Sequence, residues 1–222
     1  MTKITDLGFS NSIIVETVVS TYDREGKANA APMGIALESP QRLVIRIYTS
    51  SLTYKNFQLR KSGVVNLIYD PEVFYRTTFK EANLNGRVPQ DWFEKAETVD
   101  APKLWKAEAN IEFAVADIRQ IDAERAEVLC DVTLVKTAKV LPKAYCRALF
   151  ATIEAIIHAT RVQAFIRHGN SRKREQALRL LETIREYRDL VNRIAPNSSY
   201  SEIMEDLRQR IDSWRSEDEG LR

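Results

Sequence analysis

The 222-residue sequence predicts an α+β fold: an antiparallel six-stranded β-barrel followed by a helical carboxyl-terminal region. Three observations carry this prediction. Six runs within the first 140 residues either alternate apolar with polar residues or are continuously apolar, and turn residues bound each of them. Most connections between these runs are short, which favours antiparallel pairing of neighbours. From Pro142 onward the apolar period lengthens from two to about 3.6 residues. The expected division is a barrel domain over residues 1–140 and a helical region over 141–222, packed on the barrel or on a dimer.

The first run, Ile13–Tyr22, is rich in valine, isoleucine and threonine, and the turn Asp23–Gly26 hands over to a second extended segment, Asn29–Leu37. After a turn at Glu38–Gln41, Leu43, Ile45 and Ile47 alternate with Val44, Arg46 and Tyr48, the period of a strand with two different faces. Tyr54–Lys61 has helical spacing and is expected to stop at Gly63. Val64–Tyr69 then reads as an apolar strand ended by Asp70–Pro71, giving the order β-β-β-α-β. Between Phe74 and Ala107 the pattern loosens, with short helices expected around Trp92–Glu97 and Lys103–Lys106. Ala109–Gln120 and Glu124–Thr137 pair most simply as a long hairpin.

Three helices follow. Leu149, Ile153, Ile156, Ile157 and Thr160 line a face of the first; Leu178, Leu181, Ile184 and Val191 of the second; Ile203, Leu207, Ile211 and Trp214 of the third. Asn170 or Ser171 is placed to cap the second helix and Pro196 to close it. Ser199 with Glu202 has the spacing of a capping box for the third.

Composition sets limits on function. Hydrophobic residues are 44% and charged ones 29%, an ordinary globular balance, and a formal charge of +2 gives no argument for nucleic acid or acidic substrates over the whole surface. The amino terminus lacks the apolar core and cleavage site of a leader, and no stretch approaches eighteen consecutive apolar residues, so the expectation is cytoplasmic with no membrane. Cys130 and Cys146 have no CxxC spacing and no histidine to complete a metal set; both are expected to be buried thiols.

Thr49, Ser50, Ser51 and Thr53 form a hydroxyl cluster where the third strand enters a helix. Serine and threonine ahead of a helix are ordinarily caps, and that reading stands on local pattern. Four hydroxyls with Lys55 and Asn56 nevertheless exceed the single acceptor a cap requires, and Arg46 adds positive charge, which makes an anion such as phosphate the alternative. The segment Asn29–Gly34 holds small side chains, a proline and a glycine. It reads as a bulge or edge, and also as free main chain beside a flat space that suits the edge of a planar heteroaromatic ring.

The patterns ETVVST..D..G..N.APMG, RIYTSSLTYKN and GVVNLIYDP, with the later helix CRALFATIEAIIHATR, resemble a prokaryotic flavoprotein family, a domain of unknown function of DUF447 type, within the FMN-binding split-barrel superfamily. The resemblance implies a six-stranded split barrel that forms a homodimer, with FMN near the subunit interface. It implies the ribityl phosphate at Thr49, Ser50, Ser51, Thr53 and Asn56, with Arg46 or Lys55 as counter-charge and Tyr48 beside them. The ring is implied to lie against the Ala31–Ile35 main chain, including Met33, Gly34 and Ile35, with Asn66 as a further cofactor contact.

The expected function is an FMN-dependent oxidoreductase of unspecified substrate. A flavin-binding module without turnover is the alternative, and a nucleic-acid-binding protein a third. The last would use Arg161–Arg193, where nine basic residues face four acidic ones; Glu202–Arg222, with seven acids against four basic residues, is available to neutralise them. Glu154 and His158, four apart on a helix, and Arg161 one turn on, read as structural pairing, with a second site as the other possibility.

Overall fold

The computed structural model describes residues 2–10, 13–138, 146–168 and 170–220. Two compact units result: residues 1–68 with 79–141, and residues 69–78 with 142–222.

The first unit is a closed antiparallel barrel. Its strands are β1 (Ile14–Tyr22), β2 (Ala28–Ser39), β3 (Arg42–Tyr48), β4 (Ser62–Leu67), β7 (Ala109–Gln120) and β8 (Arg125–Thr137), hydrogen-bonded in the order β1-β2-β3-β8-β7-β4. Helix α1 (Leu52–Arg60) links β3 to β4. Alternation places Val19, Ile35, Ile45, Val65, Ile111 and Val128 inside, where they form one core with Phe57 of α1 and Phe113 of β7. The rings of Phe57 and Phe113 meet edge to face at 5.8 Å. Gly63 makes that contact possible, since a Cβ there would lie 2.6 Å from Phe113 Cζ.

Helix α1 does not run on to Gly63: Lys61 turns into the left-handed region (φ 54°), and its N–H closes on Phe57 O. The short helices expected around Trp92–Glu97 and Lys103–Lys106 are instead a small hairpin, β5 (Phe93–Lys95) and β6 (Pro102–Leu104). It is tied to the barrel by Glu112, a buried carboxylate on β7 that accepts the N–H groups of Glu97 (2.8 Å) and Thr98 (2.6 Å). A carboxylate one hairpin away leaves no trace in the local pattern.

The second unit contains α2 (Pro71–Thr78), α3 (Arg147–His168), α4 (Ser171–Ile194) and α5 (Ser199–Gly220). Asp70–Pro71 ends a strand and also starts α2: the Asp70 carboxylate accepts the Glu72 N–H at 2.9 Å, and proline occupies the first helical position. Asn170 caps α4 through the Lys173 N–H. The α5 box sits one residue earlier than Ser199 and Glu202: Ser198 Oγ accepts the Ser201 N–H, and Ser201 Oγ accepts the Ser198 N–H.

Ala177 rather than Leu178 joins Leu181, Ile184 and Val191 on the buried stripe of α4, and Leu178 is exposed. Over Arg147–Arg167, α3 is long and apolar enough to cross a membrane by length and composition alone. Here its Ala148, Ala155, Ile156, Ala159 and Val162 are buried, and it packs on α2, α4 and α5.

Candidate functional site

The barrel is closed as a ring of strands, but two of its seams are short, β1–β4, which pairs only over Val18–Ser20, and β2–β3. β2 pairs with β1 along its length, from Ile14↔Ala36 to Tyr22↔Ala28, yet pairs with β3 only over Ile35–Ser39. β3 meanwhile follows β8 through Tyr48↔Arg125. The β2 segment Asn29–Gly34 therefore has a ladder on one side only. Every second residue of such an edge directs its N–H and C=O outward, and Pro32 has no N–H to offer. Gln90 covers the start of this edge by bonding both main-chain groups of Ala28.

The loop leaving β3 and the first turn of α1 lie beside this notch. Ser51 is the α1 N-cap, with its Oγ accepting the Tyr54 N–H at 3.2 Å. The capping reading of Ser51 is correct as far as its lone pair goes, and its hydroxyl proton stays free to donate. The N–H groups of Leu52 and Thr53 belong to the first turn, and no backbone acceptor meets them among the described residues. Thr53 is buried, and its Oγ1 accepts from Asn29 Nδ2 at 3.3 Å, which ties the helix start to the open edge of β2.

The other expected contacts fall in different places. Thr49 donates its hydroxyl to Glu124 O at 3.1 Å, and Ser50 is exposed. Asn56 points under the helix and donates to Thr21 Oγ1 at 2.9 Å, so it fastens α1 to β1. Arg46 and Tyr48 occupy the outer face of β3; Arg46 is paired with Glu127 across the β3–β8 ladder at 3.4 Å. Lys55 is exposed and lines a groove of about 460 Å³ shared with Asp23, Arg24 and Glu25.

Of the expected ring contacts, Met33 and Gly34 lie on the unpaired edge; Met33 O accepts the Thr17 hydroxyl, and the Ile14 side chain lies against Gly34. Ile35 is already paired on both sides, with Val15 and Ile45, and its side chain is core. Asn66 is saturated. Its Nδ2 donates to Val18 O and Ser20 Oγ, and its Oδ1 accepts from Leu104 N and Asn110 Nδ2, all at 2.8–2.9 Å. The Asn66 amide is thus engaged within the protein, where it joins β1, β4, β6 and β7.

One residue at the notch lies outside every motif. Lys80, in the turn after α2, brings its ammonium onto Asn29 Oδ1, and it makes no ion pair among the described residues. Burial holds its pKa below the ordinary lysine value. A lone lysine in an irregular stretch carries no periodic or spacing signal, so sequence reasoning had no means of finding it. With the hydroxyl protons of Ser51 and Thr53 and the first-turn N–H groups, Lys80 makes a donor-only set, the chemistry a phosphate requires.

Family models match nearly the whole described chain. "Protein of unknown function (DUF447) N-terminal domain" matches residues 15–139 and "Protein of unknown function (DUF447)" residues 146–209. The chain belongs to the DUF447 family. Among solved structures it is similar to the FMN-bound protein MM1853 from Methanosarcina mazei, at 24% identity over 93% of this chain and 98% of that one, with a TM-score of 0.73. The fold is accordingly of the FMN-binding split-barrel type. More distant likenesses are to the 2-nitrobenzoate 2-nitroreductase NbaA of Pseudomonas fluorescens (21% identity, 58% of this chain and 68% of that one, TM-score 0.47) and to a flavoredoxin of Methanosarcina acetivorans (16%, 59% and 74%, TM-score 0.49).

All notch residues fall within the first segment matched by the DUF447 models. The second contains Glu154, His158 and Arg161. His158 packs its ring beside Tyr187 at 6.0 Å, and burial, opposed by Glu154 and assisted by Arg161, holds its pKa below the ordinary imidazole value. Glu154 and Arg161 are exposed. Among the described residues no group of three or more histidines, cysteines, aspartates or glutamates is arranged to hold a metal. Cys130 is a buried thiol raised well above its ordinary pKa by desolvation, whereas Cys146 is only half-buried.

Proposed function

We propose that the protein binds FMN in the notch between the open edge of β2 and the start of α1, and that it is an oxidoreductase. The observation that carries this reading is the donor-only set at the notch, Ser51, Thr53, the first-turn N–H groups and Lys80, placed beside an unpaired strand edge. The FMN-bound family relative supports it. Bound FMN would supply the electron chemistry, accepting and releasing reducing equivalents at its ring.

The chain's own residues would bind and orient. Ser51 and Thr53 would donate their hydroxyl protons to phosphate oxygens, with Thr53 held in place by Asn29. The outward main-chain groups of the edge from Ala30 to Gly34 would meet the polar edge of the ring. Asn56 and Asn66 would act indirectly, by fixing α1 to β1 and the strands to one another.

The reading includes a homodimer. Ile14 and Tyr48 on the outer sheet face are each more than half exposed, and a second copy would cover such side chains. It also includes a cytoplasmic setting, in keeping with Cys130 and Cys146 as free thiols. The test is an absorbance spectrum of the protein loaded with FMN, followed by anaerobic addition of NADH, NADPH or a reduced deazaflavin. Flavin bands that bleach with the reductant and return when oxygen is readmitted as the electron acceptor, over repeated cycles, are expected. Bands that never bleach would leave a binding module without turnover, and an absence of bands would remove the reading.

A further inference from the structure

Three cations come into question as the counter-charge of a phosphate, Arg46 and Lys55 from the sequence and Lys80 from the structure, and they differ in what already satisfies them. Arg46 is largely exposed and has Glu127 at 3.4 Å. Lys55 is exposed to solvent, beside Asp23 and Glu25 in its groove. Lys80 is half-buried, and its ammonium donates to the neutral side-chain oxygen of Asn29. Taking an ammonium out of water is costly unless a negative charge compensates it.

Asn29 connects the ammonium to the α1 start. Its Oδ1 accepts from Lys80 and its Nδ2 donates to Thr53 Oγ1 at 3.3 Å, so one side chain spans the gap between the lysine and the first helical turn. Thr53 Oγ1, having accepted, keeps its proton for a ligand. An anion seated against Thr53 would face Lys80 across Asn29 and would replace the hydration the lysine has lost.

Building on the flavin reading above, we propose that Lys80 is the specificity-determining residue of this site: its ammonium recognises the terminal phosphate and selects FMN over riboflavin, which has the same ring and ribityl chain without that charge. Lowering of the Lys80 pKa by burial alone is consistent with a cation waiting for a counter-charge.

The test is an equilibrium titration of the flavin-free full chain with FMN and, separately, with riboflavin, for the wild type and for Lys80→Met and Lys80→Arg. Lys80→Met should weaken FMN about 10- to 100-fold, the effect of losing one hydrogen bond to a charged group. It should leave riboflavin within about twofold, and Lys80→Arg should keep most of the preference. Riboflavin binding by each variant serves as its own check of folding.

An equal loss of both flavins in Lys80→Met would make Lys80 a shaping residue and overturn the inference. So would an unchanged FMN affinity, and in that case the flavin reading would survive. Should Lys80→Met fail to fold, an FMN-to-riboflavin ratio in Lys80→Gln equal to that of the wild type would overturn the inference equally. A wild type that binds neither flavin would remove the underlying reading, and the inference with it.

Discussion

Replacing Thr53 by valine removes one hydroxyl, keeps the shape and the branching of the side chain, and so separates a ligand contact from a packing contact. In the flavin-free protein Thr53 Oγ1 has a single side-chain bond, a long one at 3.3 Å from Asn29 Nδ2, and the residue is buried. Losing one neutral bond of this kind costs about 0.5–1.5 kcal/mol. In the complex the same oxygen would donate to a charged phosphate, where hydrogen bonds contribute about 1.5–3 kcal/mol. Thr53→Val should therefore weaken FMN about 10- to 150-fold while lowering unfolding stability by no more than about 1.5 kcal/mol. Flavin fluorescence titration measures the first and urea unfolding the second. Riboflavin is the internal control and should change by less than about threefold, because the hydroxyl is aimed at the phosphate alone. An unchanged FMN affinity, or equal losses for FMN and riboflavin, would refute the assignment of Thr53.

The pH dependence follows from Lys80. Its pKa in the folded chain is lowered by burial, so between that value and the ordinary lysine value the unfolded chain holds more protons. Measured relative to Lys80→Met, which shares the opposing contribution of the raised Cys130 thiol, the stability of the wild type should rise with pH across this window and its FMN affinity should fall, in denaturation and binding followed up to the ordinary lysine range. Asn66→Ala should cost about 2–4 kcal/mol in thermal or urea unfolding, since it orphans the buried Leu104 N–H and removes the donor to Val18 O at a four-strand junction, and should weaken FMN and riboflavin alike. A selective loss of FMN would point to Asn66 as a cofactor contact. Gly63→Ala should cost about 1–3 kcal/mol, because the added methyl would stand 2.6 Å from Phe113 Cζ and 3.1 Å from Phe57 Cε1.

Legibility in the sequence tracked the range of the interactions. The six barrel strands were readable because each carries its own alternation or apolar run and its own turns: β7 has the expected bounds and β1 begins one residue later. What went unread was decided elsewhere in the chain. The hairpin β5–β6 is held by Glu112 of β7, and a three-residue strand has too few positions to declare a period. Helix α2 was hidden because Asp70–Pro71 stops one element and starts the next, and only the carboxylate's bond to the Glu72 N–H distinguishes the two.

The candidate site divides in the same way. Ser51 and Thr53 were readable from their position before a helix, and the small-residue segment around Pro32 and Gly34 from its composition. The depth of the notch depends on where β3 leaves β2, a fact of register that no residue announces. A motif asparagine in a strand looks the same whether it faces a ligand or three neighbouring strands, and the bonds of Asn66 to those strands are not legible in the sequence. Lys80 was missed because a buried cation is defined by what surrounds it.

The most direct measurement is the crystal structure of the protein soaked or grown with FMN. The account places a phosphate oxygen within about 2.7–3.2 Å of Thr53 Oγ1 and another within the same range of Lys80 Nζ, with the ring along the Ala30–Gly34 edge. A phosphate seated in the Lys55 groove or on the outer face beside Arg46, with Lys80 still resting on Asn29 alone, would contradict it.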